Sequence, residues 1–473
     1  MSLIEQTLEN FFLGYPDQPV VIAYSGGVDS QVLLHALARL TRAKRLDNPL
    51  TVCHINHGLS ENAALWQQSA ELECQKLGLE LICRQVTLEL ASSQSLEALA
   101  REARYQALQQ LAPKGALIIT GHHSDDQGET LLLALKRGAG LKGLSAMACV
   151  SALAEHTLVR PLLAIRRQEI EAYARQHHLD WIEDESNSDT RFDRNFIRHQ
   201  IMPLLSGRWP SIVATMARSS EHCREGQQLL TELAQEDLAR AILSARSLSV
   251  SELKKLSRAR FNNLLRYFLE QHKCLMPSAE QLNQVYVQLG APADKTPAVK
   301  MAQVWLRRYR DGLYLTGDFK DIGSWQYRVE LAPGGEVITI ELPDHLGGLS
   351  FASSPDKVLA VHGLNPAKQE SVQESKQERK TLYLRPPQAS EPVTVKFSHQ
   401  NPKCLPDYRQ HSRPLKKVLQ ELALPPWVRL RIPFIYYGET LVAAAGYFVC
   451  KDYLAENPGE NNRAYIKVNW REQ

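Results

Sequence analysis

The sequence predicts an α/β protein: a doubly wound parallel sheet, followed by a helical middle domain and a small β-rich C-terminal domain. Three observations carry this reading. Strand-like and helical stretches alternate from residue 20 to about 120. Past about residue 210 the apolar spacing becomes helical throughout, as in EGQQLLTELAQEDLARAIL (225–243). Short strand-like pieces begin near residue 300 and return after a polar stretch at 365–380.

The elements follow in order. VVIAY (20–24) is a continuous apolar run, as expected of a strand buried on both faces. From Gln31 to Arg42 apolar residues fall at helical spacing. LTVCHI (50–55), LELICRQV (79–86) and GALIIT (115–120) supply three more strands, with helices expected at 61–77 and 95–112. A second long helical stretch covers 251–272. NPAKQESVQESKQERK (365–380) lacks aromatic residues and reads as a linker. These shifts divide the chain into 1–215, 216–355, a linker at 356–380, and 381–473. At 473 residues the chain is too long for one ordinary core.

Composition narrows the function classes. With 44% hydrophobic and 23% charged residues the chain is ordinary for a globular protein. No apolar run approaches the length of a membrane span, and residues 1–12 lack the basic, apolar pattern of a signal peptide, so a cytoplasmic protein without a membrane partner is expected. The eight cysteines are scattered and form no CxxC, which argues against a zinc knuckle or a dithiol motif.

Chemistry is concentrated after the strands. YSGGVDS (24–30), HINHG (54–58) and TGHHSDDQ (120–127) each follow a strand directly, so all three should face one crevice at the carboxyl ends. In the first, Ser25, Gly26, Gly27, Val28, Asp29 and Ser30 lack the lysine of a Walker A loop, yet backbone N–H groups and hydroxyls can still bind phosphate. A carboxylate beside phosphates implies Mg²⁺ between them, which makes Asp29 a metal candidate. Asp126 is the second, although Asp125 and Asp126 also suit the start of a helix as caps. In AREARY (100–105), Arg104 is placed either to stabilise developing phosphate charge or on a solvated basic face. Arg191, Arg194 and Arg198 have the spacing of one helical face. They suit phosphates of a large anion, or pairing with Asp189 and Asp193.

SGGVDS resembles the PP-loop of the N-type ATP pyrophosphatases. Together with HINHGL (54–59), AREARY, GHHSDDQGET (121–130), KRGAGLKGL (136–144), RPLL (160–163) and EDESNSDTRFDRNFIR (183–198), it resembles the tRNA(Ile)-lysidine synthetase family. The stretch 413–449 is similar to that family's C-terminal domain. The resemblance implies a PP-loop ATP pyrophosphatase domain, a middle tRNA-binding domain and a C-terminal tRNA-binding domain. It implies an enzyme that uses ATP to adenylate C2 of the wobble cytidine in CAU-anticodon tRNA(Ile), after which free L-lysine displaces AMP. By the same resemblance Asp29, Asp126 and Arg104 are catalytic, the loop residues and His54 bind ATP, and the enzyme is a monomer or homodimer.

The terminal domain gives a separate hint of RNA. Between 396 and 431, eight cations (Lys396, Lys403, Arg409, Arg413, Lys416, Lys417, Arg429, Arg431) stand against Asp407 and Glu421, whereas the whole chain is only +3. Arg413, Lys416 and Lys417 are the tRNA-binding candidates here, with a solvated surface as the bland reading. The rivals are a tRNA thiolase, which generally needs cysteines this chain does not pair; a glutamine-fed amidating synthetase, which usually needs a glutaminase nucleophile; and a catalytically silent tRNA-binding protein, which predicts degraded loops.

Overall fold

The computed structural model of the chain describes residues 1–56, 58, 62–87, 96–183, 185–292, 295–331, 337–353, 381–455 and 464–471. The expected linker at 356–380 lies outside these residues. The chain forms two compact units, Met1–Glu236 and Asp237–Gln473.

In the first unit α1 (Leu3–Phe12) opens with a reciprocal cap, the Ser2 hydroxyl accepting from Glu5 N and the Glu5 carboxylate accepting from Ser2 N. Strand β1 (Val20–Tyr24) leads into α2 (Val28–Arg42), then β2 (Leu50–Asn56), α3 (Ala63–Leu77), β3 (Glu80–Gln85), α4 (Leu96–Leu111), β4 (Leu117–Ile119) and α5 (Ser124–Lys136). A short α6 (Leu141–Leu144), the hairpin β5 (Val150–Leu153) and β6 (His156–Val159), and α7 (Arg167–Gln176) complete the α/β body. The strand order is β3-β2-β1-β4-β6-β5, parallel except for the β5–β6 pair. Neither α1 nor the hairpin is among the expected elements.

Alternate residues of β1 serve opposite faces. Val20 and Ile22 join a core with α1, α2 and α7, including Leu8, Leu33, Leu37 and Ile170. Val21 joins the other face with Cys53, Ile118 and Leu108 of α4. Two-sided burial is why these strands read as unbroken apolar runs. Because β1 pairs with β2 on one side and β4 on the other, the order reverses at β1/β4. A crevice for ligands forms outside such a reversal, at the carboxyl ends of the strands.

In the second unit, helices Arg258–Gln271 and Ala279–Leu289 pack on a five-stranded antiparallel sheet built from Ile242–Ser244, Ser247–Ser249, Gly312–Gly317, Val304–Tyr309 and Ala298–Met301. The strand-like pieces near residue 300 belong to this sheet. Beyond it a five-stranded and a four-stranded antiparallel sheet share one core, with Phe351, Leu384, Val395 and Ile435 inside it. Helix Leu415–Glu421 buries Leu415, Val418 and Leu419 against Phe434 and Phe448. Among the described residues no helix is long and apolar enough to cross a membrane.

Candidate active site

The loop after β1 is shaped by two glycines. Gly26 has φ +86°, a left-handed conformation that a side chain resists, and a Cβ there would fall 2.8 Å from Ile182 Cδ1. Its carbonyl accepts from Ile182 N at 2.9 Å. Gly27 caps α2 with no side-chain bond, so the first-turn N–H groups of α2 stay open to an anion. Ser30 braces the loop from inside. Its hydroxyl donates to Gly27 O at 2.9 Å and accepts from Ser25 N at 3.2 Å. With its single proton thus used, Ser30 Oγ is the acceptor in the 3.1 Å contact with the Ser25 hydroxyl.

The loop after β4 meets this one at bare backbone. A Cβ on Gly121 would lie 2.8 Å from the Asp29 carbonyl oxygen. The convergence of the β1 and β4 loops expected from sequence is therefore present. His54, at the end of β2, is 4% exposed, and its Nδ1–H donates to the Tyr24 carbonyl at 3.2 Å. It is engaged with the strand that enters the loop, and burial lowers its pKa.

The two acids at the start of α5 divide their work. Asp125 accepts from Arg167 N at 2.9 Å and so serves the first turn of α7 rather than its own helix. Asp126 faces the crevice side. Its Oδ2 accepts from His123 N at 3.1 Å, and its Oδ1 accepts from Arg194 and Arg198 at 3.0 Å each. Glu129, one turn on, takes Arg194 Nε at 2.9 Å and Arg198 Nε at 2.6 Å. Two carboxylates and two guanidinium groups make a closed, electrically balanced quartet.

His123, fully buried, links Asp126 to Asp29. Its Nε2 lies 3.5 Å from Asp29 Oδ1 and 3.4 Å from Asp126 Oδ2. The buried Asp29 Oδ1 has no hydrogen-bond partner among the described residues, nor have the two ring nitrogens of His123. Burial raises the pKa of Asp29, with the charge of Asp126 adding to it and His123, Arg167 and Arg198 opposing. Burial also works against charge on Asp126, yet His123, Arg194, His122 and Arg198 together hold it well below the usual carboxylate range. An unsatisfied carboxylate beside a fully ionised one, at the mouth of an anion loop, is an arrangement a divalent cation would complete. No group of three or more His, Cys, Asp or Glu side chains forms a self-sufficient metal cage among the described residues.

Arg104, on α4, has no hydrogen bond or ion pair among the described residues; its guanidinium lies 5.6 Å from the Tyr105 ring. Burial lowers its pKa, and the positive charges of Arg101 and Arg194 beside it add to that. Arg191, Arg194 and Arg198 do not share a helical face, contrary to the spacing argument. The helix α8 (Asp193–Phe196) begins after Arg191 and gives way to a π-turn at Ile197–Ile201, which changes the register. Arg191 lies before it and grips Asp189 with both ends of its guanidinium, 2.7–3.0 Å away. Arg194 and Arg198 turn inward on Asp126 and Glu129. His123 is a site residue that sequence spacing did not assign, whereas Glu129, with Asp126, lies in the region where the sequence places the lysine ammonium. The signal for His123 was its place between a strand end and two acids.

Of the C-terminal cations, Arg409 is taken up by Glu421 and Arg431 by Asp344. Arg413, Lys416 and Lys417 are exposed and make no ion pair among the described residues.

Comparisons with known proteins match three stretches of the chain. Residues 1–205 match the model of a PP-loop domain, 248–314 that of the TilS substrate binding domain, and 393–470 that of the TilS substrate C-terminal domain. The tRNA(Ile)-lysidine synthase of Vibrio campbellii is 39% identical over 460 residues, covering 95% of each chain. The protein of that name from Pectobacterium atrosepticum is 40% identical over 438 residues, covering 92% of this chain and 91% of its own. Among solved structures, the U34-tRNA thiolase NcsA from Methanococcus maripaludis with its [4Fe-4S] cluster aligns over 47% of this chain and 78% of its own, at 18% identity and a TM-score of 0.40.

Proposed function

Since the chain belongs to the tRNA(Ile)-lysidine synthase family, we propose that its site joins free L-lysine to C2 of the wobble cytidine of CAU-anticodon tRNA(Ile), releasing AMP and pyrophosphate from ATP. The chain is thus a ligase that forms a carbon–nitrogen bond, working through an ATP-binding PP-loop domain. An amide-like carbonyl is a poor electrophile. In the first step the C2 oxygen attacks the α-phosphorus of ATP, and the bond to pyrophosphate breaks. In the second the lysine ε-amine attacks C2, the C2–O bond breaks, and the nitrogen loses its proton as AMP leaves.

The chain's own groups fit these demands. The open first-turn N–H groups of α2, with Ser25, suit the departing pyrophosphate. That explains why the loop needs no lysine to hold a transferred γ-phosphate. Asp29 and Asp126 would hold Mg²⁺, which when bound neutralises phosphate charge and favours pyrophosphate as a leaving group. Arg104, without a carboxylate partner among the described residues, supports the charge that develops at the α-phosphate. Arg413, Lys416 and Lys417 suit the tRNA backbone. The observation that carries the reading is Asp29: a buried, unpartnered carboxylate oxygen at an anion loop is costly unless the reaction uses it.

The test combines pyrophosphate release with nucleoside mass spectrometry. Purified protein, ATP and a CAU-anticodon tRNA(Ile) transcript should convert the wobble cytidine to lysidine only when lysine is present. An unchanged cytidine under those conditions refutes the reading.

A further inference from the structure

The second unit contains a cavity of about 840 Å³ whose wall shares only Lys416 with the residues given a role above. Three aromatic side chains, Phe319, Phe397 and Trp427, contribute to its wall. Five cations line it as well: Arg307, Lys320, Lys416, Arg429 and Arg431. The wall has one carboxylate, Asp321, whose Oδ1 is engaged by Gly323 N at 2.9 Å.

Beside the wall, Asp318 and Asp344 partly offset the charges of Arg307 and Lys320. Among the described residues, Arg431 alone of the five makes an ion pair, with Asp344 at 2.5 Å. Arg429 donates to neutral acceptors, Leu424 O at 2.7 Å and the Tyr309 hydroxyl at 3.1 Å. Arg307 donates from Nε to the Thr316 hydroxyl at 2.9 Å, with its guanidinium carbon 5.8 Å from the Trp427 ring. Lys320 and Lys416 make no ion pair among the described residues. Concentrating like charge in a concavity is unfavourable unless an anion relieves it. Tyr309 and Tyr314 pack edge-on against Trp427, with ring planes at 80° and 67° to it, and fix that ring at the cavity wall.

Stacking surfaces together with unpaired guanidinium and ammonium groups select a particular chemistry. An inorganic anion has no use for the aromatic wall, and an acidic peptide has little. Paired RNA presents only its backbone, because its bases are stacked inside the helix. An unpaired nucleotide offers both a π-face and a phosphate. The cavity also falls in the size range, roughly 300–1,000 Å³, of sites that enclose a small-molecule-sized group.

We propose that this cavity receives an unpaired stretch of the RNA substrate, one base stacking on Trp427 and the adjoining phosphates held by Arg307, Lys416 and Arg429. The proposal rests on RNA being the substrate, as argued above, and adds that the second unit reads strandedness as well as charge.

The experiment uses the full chain and a fluorescent single-stranded oligoribonucleotide of about five nucleotides, followed by anisotropy. The single strand should bind and compete with tRNA, while a duplex of equal length competes far less. Arg307→Ala and Trp427→Ala should each weaken single-strand binding about tenfold, and Trp427→Phe should restore most of the loss. Arg307→Ala should also reduce the slope of log affinity against log salt by about one. If Trp427→Ala fails to fold, Lys416→Gln, on an exposed position, tests the phosphate contact alone. Equal competition by duplex, displacement by ATP alone or by an acidic peptide, or binding indifferent to these substitutions overturns the proposal. Lysidine formation by the unaltered protein is assayed in parallel. Lysidine without oligonucleotide binding refutes the cavity alone; binding without lysidine refutes the reaction and leaves the cavity as an RNA site.

Discussion

Replacing Glu129 with Gln perturbs the quartet that holds Asp126. The Glu129 side chain is 2% exposed and accepts three bonds, from Arg194 Nε at 2.9 Å and from Arg198 Nε and Nη2 at 2.6 and 2.9 Å. Glutamine keeps the shape but removes one negative charge and points an NH₂ at N–H donors. The quartet then carries a net positive charge in a largely dry setting. Removing one partner of a buried ion pair costs about 3–5 kcal/mol. Asp126 still accepts from both arginines, so the lower end, about 3 kcal/mol, is expected. For a unit the size of Met1–Glu236, each kcal/mol is worth about 2–4 °C, so its melting temperature should fall by about 6–12 °C. Scanning calorimetry at neutral pH measures this directly. Adding Arg198→Gln restores charge balance, so the double variant should be less destabilised than the two singles summed, with a coupling of about 1–3 kcal/mol. A fall under about 3 °C, or strict additivity, would refute the account of a balanced quartet.

Three further outcomes are expected. Asp29→Asn should abolish pyrophosphate release, and in the unaltered enzyme the acidic limb of kcat/KM should lie above the ordinary aspartate range, because burial raises the Asp29 pKa and the ionised form is the one that holds magnesium. Gly26→Ala places a side chain at φ +86° and a carbon 2.8 Å from Ile182 Cδ1, so KM for ATP should rise in initial-rate assays, with a backbone cost of about 1–2 kcal/mol that Ile182→Ala cannot remove. Burial lowers the His122 pKa from 6.5 to about 3, so between those values the unfolded chain binds a proton that the folded chain does not. The stability tied to this neutral ring is complete above 6.5 and lost as pH falls; His122→Gln should flatten the melting-temperature profile across that window.

Much of the first unit was legible because its physics is local. A strand buried on both faces must be apolar throughout, so Val20–Tyr24 and Leu50–Asn56 announce themselves, and the motifs following them are placed by the sheet order. Other features had a signal that was passed over. Ser2 and Glu5 already have capping-box spacing at the start of α1. The four-residue strands of the β5–β6 hairpin are too short to show a period. The partners of Arg194 and Arg198 could not be read, since Asp126 and Glu129 lie 65 to 72 positions earlier in the chain. Periodicity says which residues share a face, and it assumes an unbroken helix; the late start at Asp193 and the π-turn after it removed Arg191 from that face.

The close approach of Gly121 to the Asp29 carbonyl acts as a gauge. Where the two loops meet at bare main chain, their spacing is fixed by strand register, and no rotamer at that point can vary it. The separation of the carboxylates they carry is thereby inherited from the sheet, as a machined part inherits its tolerance from the frame. A methyl group at position 121 would act as a shim, opening that gap while leaving every reactive side chain in the sequence untouched.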